Sequence, residues 1–327
     1  MKTRRLGSSE LEVPVIGLGC MVMPGFYSPG SEAEAIATLH RAAEIGVNFL
    51  DTSDLYGFGK NEQLIARAIA GRRDDYIIAS KFGNVKTADG KAAIDGRPAY
   101  VQQACEASLQ RLQIDVIDLY YQHRVDTTVP IEDTVGAMAR LIEQGKVRAI
   151  GLSEAAEDTL RRGHATYPIA ALQTEYSLWS REVEQHMLPL TAELGIGFVA
   201  YSPLGRGIFG GAIDSADSLA EGDRRRDHPR FQGDNLAHNL GVIEPVKALA
   251  AAKGRSPAEI ALAWALARGE HVVAIPGTQR IDHLEANAAA AEIVLSADEI
   301  AELDAAIPPG AAQGARYPAA HMAALHR

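Results

Sequence analysis

Eight short runs of apolar and β-branched residues recur along the chain, at 15–18, 47–51, 76–80, 116–121, 147–151, 170–173, 197–201 and 272–275. They read as unbroken apolar stretches rather than as alternation, the pattern of strands covered on both faces. Amphipathic segments separate them. Ser31 opens one helix as its N-cap, and helical patterns follow at 61–70, 98–112, 131–144, 155–165, 183–194 and 236–252. Pro98 suits a first helical turn. Gly46, Gly145 and Gly195 stand just past helix ends and just before strands, where a left-handed residue closes a helix. Eight βα units without a break in composition predict an α/β fold, a closed (β/α)8 TIM barrel in which 1–327 form a single domain. Residues 3–13 predict a β-hairpin capping the barrel floor. Long connections at 205–235 and 81–98 follow the seventh and third strands, and so fall on the C-terminal face. The alanine-rich tail after Ser296 is expected to begin as a helix and then fray.

Composition narrows the functional classes. A net charge of −10 argues against a broad nucleic-acid surface. Arg224, Arg225 and Arg226 are flanked by acids and read as a solvated loop. Two cysteines, Cys20 and Cys105, are too few for a disulfide framework, and the ten histidines show no metal-ligand spacing. No metal site is therefore expected. The N-terminal residues lack a signal-peptide apolar stretch, and no apolar run approaches the ~20 residues that span a bilayer. A cytoplasmic protein without membrane or nucleic-acid partners is expected, its oligomeric state open.

Chemistry concentrates at consecutive strand ends. Asp51, Tyr56, Lys81 and His123 fall at or just beyond the carboxyl ends of strands two, three and four, which a barrel brings together. A free phenol has a pKa of about 10, too high for ready proton donation at neutral pH. A neighbouring ammonium stabilises the phenolate and lowers that value. Lys81 would supply the ammonium, Asp51 would hold it charged and oriented, and His123 would hydrogen-bond a substrate oxygen.

The run Gly46-Val47-Asn48-Phe49-Leu50-Asp51-Thr52-Ser53-Asp54-Leu55-Tyr56-Gly57 resembles the first signature of the aldo-keto reductases. Ile275-Pro276-Gly277-Thr278, with Arg280 and Asn287, is similar to that family's cofactor signature. Gly151-Leu152-Ser153-Glu154-Ala155 and Ala200-Tyr201-Ser202-Pro203-Leu204-Gly205-Arg206-Gly207 resemble the branch that includes potassium-channel β-subunit relatives and microbial and plant reductases. The resemblance covers nearly the whole chain. It implies a catalytic tetrad of Asp51, Tyr56, Lys81 and His123, with NADPH preferred over NADH as hydride donor.

That cofactor would need distinct partners. Tyr201 would stack on the nicotinamide, and Ser153, Glu154 and Gln173 would meet its carboxamide. The segment Ser202, Pro203, Leu204, Arg206 and Gly207 would cradle the pyrophosphate. Gly277, Thr278, Gln279, Arg280 and Asn287 would hold the adenosine end, Arg280 taking the 2′-phosphate. Gly57-Phe58-Gly59 lacks the third glycine of a dinucleotide turn and reads as a loop feature. Phe26, Tyr27 and Trp179 are candidates for the substrate pocket. The expected reaction is reversible reduction of an aldehyde or ketone to its alcohol, with Tyr56 as general acid and base. The alternatives are a regulatory protein that holds NADPH with little turnover, and an aldolase using Lys81 as a Schiff base.

Overall fold

The computed structural model describes residues 1–23, 31–87, 89–322 and 325. Two antiparallel strands, β1 (Thr3–Arg5) and β2 (Glu12–Pro14), form the N-terminal hairpin. β3 (Leu18–Gly19), β4 (Phe49–Asp51) and β5 (Ile77–Phe82) begin a parallel sheet. A hairpin of β6 (Asn84–Lys86) and β7 (Ala92–Ile94) rises from the connection after β5, giving structure to a segment expected as plain loop. The sheet continues through β8 (Ile117–Gln122), β9 (Val147–Ser153), β10 (Ala171–Glu175), β11 (Gly197–Tyr201) and β12 (Val272–Ile275), every pairing parallel. Phe26 and Tyr27 lie outside the described residues.

Closure into a barrel is made by backbone hydrogen bonds between the two sheet ends. Gly17 N donates to Ala274 O at 2.8 Å, Ala274 N to Val15 O at 3.0 Å and Gly19 N to Pro276 O at 3.1 Å. The glycines permit this approach: a Cβ on Gly19 would sit 2.7 Å from Ile275 O, and one on Gly17 2.8 Å from the Phe49 ring. Regular pairing to β4 therefore starts later than the apolar run at 15–18 predicts.

The surrounding helices are α1 (Glu32–Glu44), α2 (Lys60–Ile69), α3 (Pro98–Leu112), α4 (Ile131–Glu143), α5 (Glu157–Thr166), α6 (Met187–Glu193), α7 (Gly233–Val242), α8 (Glu244–Lys253), α9 (Pro257–Leu266), α10 (Ile281–Ala289) and α11 (Ala297–Ala306). Ser31 Oγ accepts from Glu34 N, as an N-cap should. The pattern at 236–252 resolves into two helices, because Pro245 cannot donate a backbone bond and sits in the first turn of α8. α9 is absent from the amphipathic pattern since Ile260–Leu266 are buried on every side. Its start is nonetheless written in the chain: Ser256 and Glu259 form a reciprocal capping box.

The hairpin seals the floor. Leu6, Leu11 and Val13 are buried and pack with Phe49, Ala79, Leu119, Ala149, Ala171, Val199 and Val273, which point into the barrel. The long segment after β11 folds as successive short 3-10 turns. Beyond α11 the described part of the tail, instead of fraying, returns across the barrel mouth and buries Arg316. Among the described residues no helix is long and apolar enough to cross a membrane.

Because Leu6 is fully buried, Leu6→Ala is expected to lower the unfolding free energy by about 2–5 kcal/mol, read from urea melts. A loss below roughly 1 kcal/mol would show that the hairpin does not plug the barrel.

Candidate active site

Parallel register places the four candidate groups. Asp51 ends β4 and pairs with Ala79, and Lys81 on β5 pairs with Tyr121 of β8. His123 follows β8 directly, its N–H donating to Phe82 O at 2.8 Å. Tyr56 lies in the turn after β4, which Asp54 N ties to Lys81 O at 3.2 Å. Lys81 is fully buried; its ammonium pairs with Asp51 Oδ1 and donates to Thr52 O at 2.8 Å. Gln173 Nε2 donates to Asp51 Oδ2 at 2.7 Å, so the carboxylate is held on both sides. The Lys81 nitrogen lies 5.3 Å from the Tyr56 ring centre, and the Tyr56 and His123 rings meet edge-on at 5.9 Å.

Burial sets the charge states. It pushes the Lys81 pKa down, and the Asp51 carboxylate opposes that shift. It pushes His123 well below the usual imidazole value, aided by the cations of Arg124 and Lys81. His123 is therefore neutral at pH 7, a hydrogen-bonding group rather than an imidazolium. Cys20 is fully buried, and burial raises its thiol pKa.

A second cluster fills the ends of β9, β10 and β11. Arg124 Nη1 donates to His123 O at 2.6 Å and to Ser153 Oγ at 3.2 Å. Glu154, in left-handed backbone at φ 52°, accepts from Glu175 N, the Tyr201 hydroxyl and Arg316. Glu175 is 1% exposed and accepts from Arg206 and Ser180, with Arg316 at 3.3 Å and Arg230 at 4.0 Å. Burial alone would raise the Glu175 carboxyl, but Arg206, Arg316 and Arg230 outweigh it and hold its pKa at about 2.

The remaining expected cofactor residues fall along the same rim. Ser202, Gly205, Arg206 and Gly207 all take positive φ, so the loop carrying Pro203 and Leu204 curls tightly beyond β11. Backbone of this kind makes concave amide surfaces suited to a pyrophosphate. The Arg206 side chain turns inward, to Glu175 and over the Tyr317 ring at 4.5 Å. Gly277 bridges to Gly19, and Thr278 Oγ1 accepts from Arg280 N at 3.0 Å. Gln279 Nε2 donates to Val22 O, while its buried Oε1 has no hydrogen-bond partner among the described residues. Arg280 is exposed at the start of α10, paired with the exposed Asp282, and Asn287 is buried on that helix. An exposed guanidinium at a helix N-terminus suits a 2′-phosphate, so the donor set fits NADPH. Trp179 is 3% exposed and packs against Phe209, Phe231 and Arg230, which places its ring in the packing of the long loop.

Sequence reading missed Arg124, Glu175, Arg230, Arg316 and Tyr317. Glu175 had a signal, being two residues beyond Gln173 at the end of the same strand. Arg316 and Tyr317 had none, since nothing in a tail's composition shows which tertiary surface it meets.

Removing Arg316 leaves two buried carboxylates short of a cation. Arg316→Ala is expected to cost roughly 3–5 kcal/mol of unfolding free energy. The Glu175 pKa is depressed on folding, so its contribution is complete above the unfolded value of about 4.3 and is lost as pH falls toward about 2. Unfolding free energies measured down that range should fall less steeply in Glu175→Gln than in the parent. Parallel acid limbs would contradict the depressed value.

The model of the aldo/keto reductase family matches residues 15–308. A Glycine max protein named probable aldo-keto reductase 1 is 45% identical over 315 residues, spanning 96% of this chain and 91% of that protein. A glycerol dehydrogenase from Gluconobacter oxydans superposes with a TM-score of 0.85 at 27% identity, covering 94% of this chain and 96% of its own. An aldo/keto reductase from Klebsiella pneumoniae, solved with NADP and acetate, gives a TM-score of 0.74 at 30% identity, covering 97% and 99%. The chain belongs to the aldo/keto reductase family.

Proposed function

We propose that the protein catalyses the reversible, NADPH-dependent reduction of an aldehyde or ketone to the alcohol, with Tyr56 as the proton donor. The observation that carries this reading is the fully buried Lys81 ammonium, paired with Asp51 and 5.3 Å from the Tyr56 ring. Support for the cofactor comes from the Klebsiella pneumoniae relative solved with NADP, and from the curled loop beyond β11 and the exposed Arg280.

NADPH, when bound, supplies the hydride for the carbonyl carbon. Tyr56 Oη gives its proton to the carbonyl oxygen, and Lys81 stabilises the phenolate left behind. Asp51, fixed by Gln173, keeps the ammonium in place against the cost of burial. Neutral His123 hydrogen-bonds the substrate oxygen and so orients the carbonyl. Run backwards, the Tyr56 phenolate takes the proton of an alcohol, the direction that the name of the Gluconobacter oxydans relative describes. Ser153, Glu154 and Tyr201 would hold the nicotinamide end, with Ser202 to Gly207 on the pyrophosphate.

Tyr56→Phe is expected to lower kcat by about 10²–10⁴-fold in NADPH-consumption assays on a panel of aldehydes and ketones. NADPH affinity, followed by fluorescence titration, should stay within about threefold of the parent, since the hydroxyl contributes to chemistry rather than to cofactor binding. Turnover retained in Tyr56→Phe would sink the mechanism. Tight NADPH binding with no turnover in either protein would favour a regulatory role instead.

A further inference from the structure

Beside the four catalytic candidates lies a short polar chain that the proposed reaction does not use. Ser53 is fully buried, and its Oγ lies 3.1 Å from His123 Nδ1 and 3.2 Å from Asp54 Oδ1. Leu55 N donates to the same oxygen at 3.1 Å. A hydroxyl has one proton to donate and two lone pairs to accept with. The Leu55 bond takes one lone pair, so one donation and one acceptance remain for His123 and Asp54. The two assignments are mutually exclusive. If Ser53 donates to the Asp54 carboxylate, it accepts from His123 Nδ1–H, and Nε2 is a bare acceptor. If Asp54 is protonated and donates to Ser53, then Ser53 donates to Nδ1, and Nε2 carries the proton.

We propose that Ser53 and Asp54 form a relay that sets which ring nitrogen of His123 is protonated, and hence whether the site offers a carbonyl a donor or an alcohol an acceptor. The proposal rests on the reading of the site as a carbonyl reductase. Ser53 and Asp54 act through His123 and are positioning residues. The relay balances: in oxidation a proton reaching Nε2 releases the Nδ1 proton to Ser53, whose own proton passes to Asp54, and reduction reverses each transfer.

The surroundings of Asp54 suit it to this role. It faces Glu62 on α2, Arg111 and Tyr100 on α3, and Tyr120 on β8. Glu62 is fully buried, paired with Arg111 and accepting from Ser80 at 2.6 Å. Burial and then the Glu62 charge push the Asp54 carboxyl up to about 7, against the opposing pull of Arg111, Ser53 and Leu55 N–H. His123 meanwhile faces Lys81, Arg124 and Tyr56, and those cations with burial keep it from becoming an imidazolium. The ring therefore changes tautomer rather than charge. Protonated Asp54, below about pH 7, matches reduction; ionised Asp54, above it, matches oxidation.

The test is nitrogen NMR of the whole protein labelled with ¹⁵N-histidine, the His123 signals being assigned by their loss in His123→Gln. The ring nitrogens of His123 should exchange tautomer with a midpoint near pH 7 in the parent. They should hold one tautomer across that range in Asp54→Asn and lose the transition in Ser53→Ala. In assays of both directions, the kcat ratio of reduction to oxidation should fall about tenfold per pH unit above the midpoint in the parent. It should drift less than about twofold per unit over the same range in Asp54→Asn. A parent ring that keeps one tautomer throughout, or a transition that survives Asp54→Asn, would overturn the proposal. Because the tautomer is read without substrate, a failure of the reductase reading is seen separately, as absent turnover with the transition intact.

Discussion

A buried ammonium in the mouth of the barrel is the constraint around which the rest is arranged. Lys81 has no exposed surface, and a charge so placed is costly unless it is paired and hydrogen-bonded. Asp51 pairs with it, Thr52 O accepts from it, and Gln173 holds the far oxygen of Asp51. These groups come from β4, β5 and β10, on different sides of the barrel. They meet only if every intervening strand keeps its register, since a slip of one residue would turn each side chain to the opposite face. The closing bonds among Gly17, Gly19, Ala274 and Pro276, and the floor plug around Leu6, hold that register. The stability of the closed barrel and the electrostatics of its mouth are thus one problem.

Much of this arrangement was legible because it is written locally. Continuous apolar runs mark strands buried on both faces, and Gly46, Gly145 and Gly195 do adopt the left-handed backbone expected after helices. Asp51, Tyr56, Lys81 and His123 could be placed together because each follows an apolar run, and barrel topology then gathers strand ends. Other features have no local mark. α9 is apolar on every side and so lacks a 3.6-residue period. The β6–β7 hairpin is short and half exposed, carrying little hydrophobic signal. The alanine-rich composition of the tail carries no mark of its anchor, because Arg316 is held by Glu154 and Glu175, which are distant in sequence.

That tail changes the charge balance of the mouth. Two buried carboxylates, Glu154 and Glu175, stand among Arg206, Arg230 and Arg316, so the cluster carries an excess of cations. Such an excess favours an anionic ligand nearby, and it accounts for the depressed Glu175 value without any special geometry. Arg206, expected to reach toward a pyrophosphate, is turned inward, its guanidinium paired with the buried Glu175 carboxylate. The curled loop keeps its concave backbone, of a kind suited to an anion.

His123 shows how the two clusters are coupled. Arg124, reaching from the residue after it to Ser153, adds a cation beside the imidazole, and Lys81 adds another. Burial is the main force against an imidazolium, and each cation adds to it. A neutral ring has one proton and two nitrogens, so its usefulness depends on where that proton sits. The groups that face Nδ1 are then as consequential as those that face substrate. In this barrel the Nδ1 neighbour is Ser53, two residues beyond Asp51 in the same turn that carries Tyr56. One turn therefore follows directly on Asp51, carries Tyr56 and sets Ser53 against the histidine. Its backbone bonds to β5, Thr52 N to Ala79 O and Asp54 N to Lys81 O, keep all three in a fixed relation.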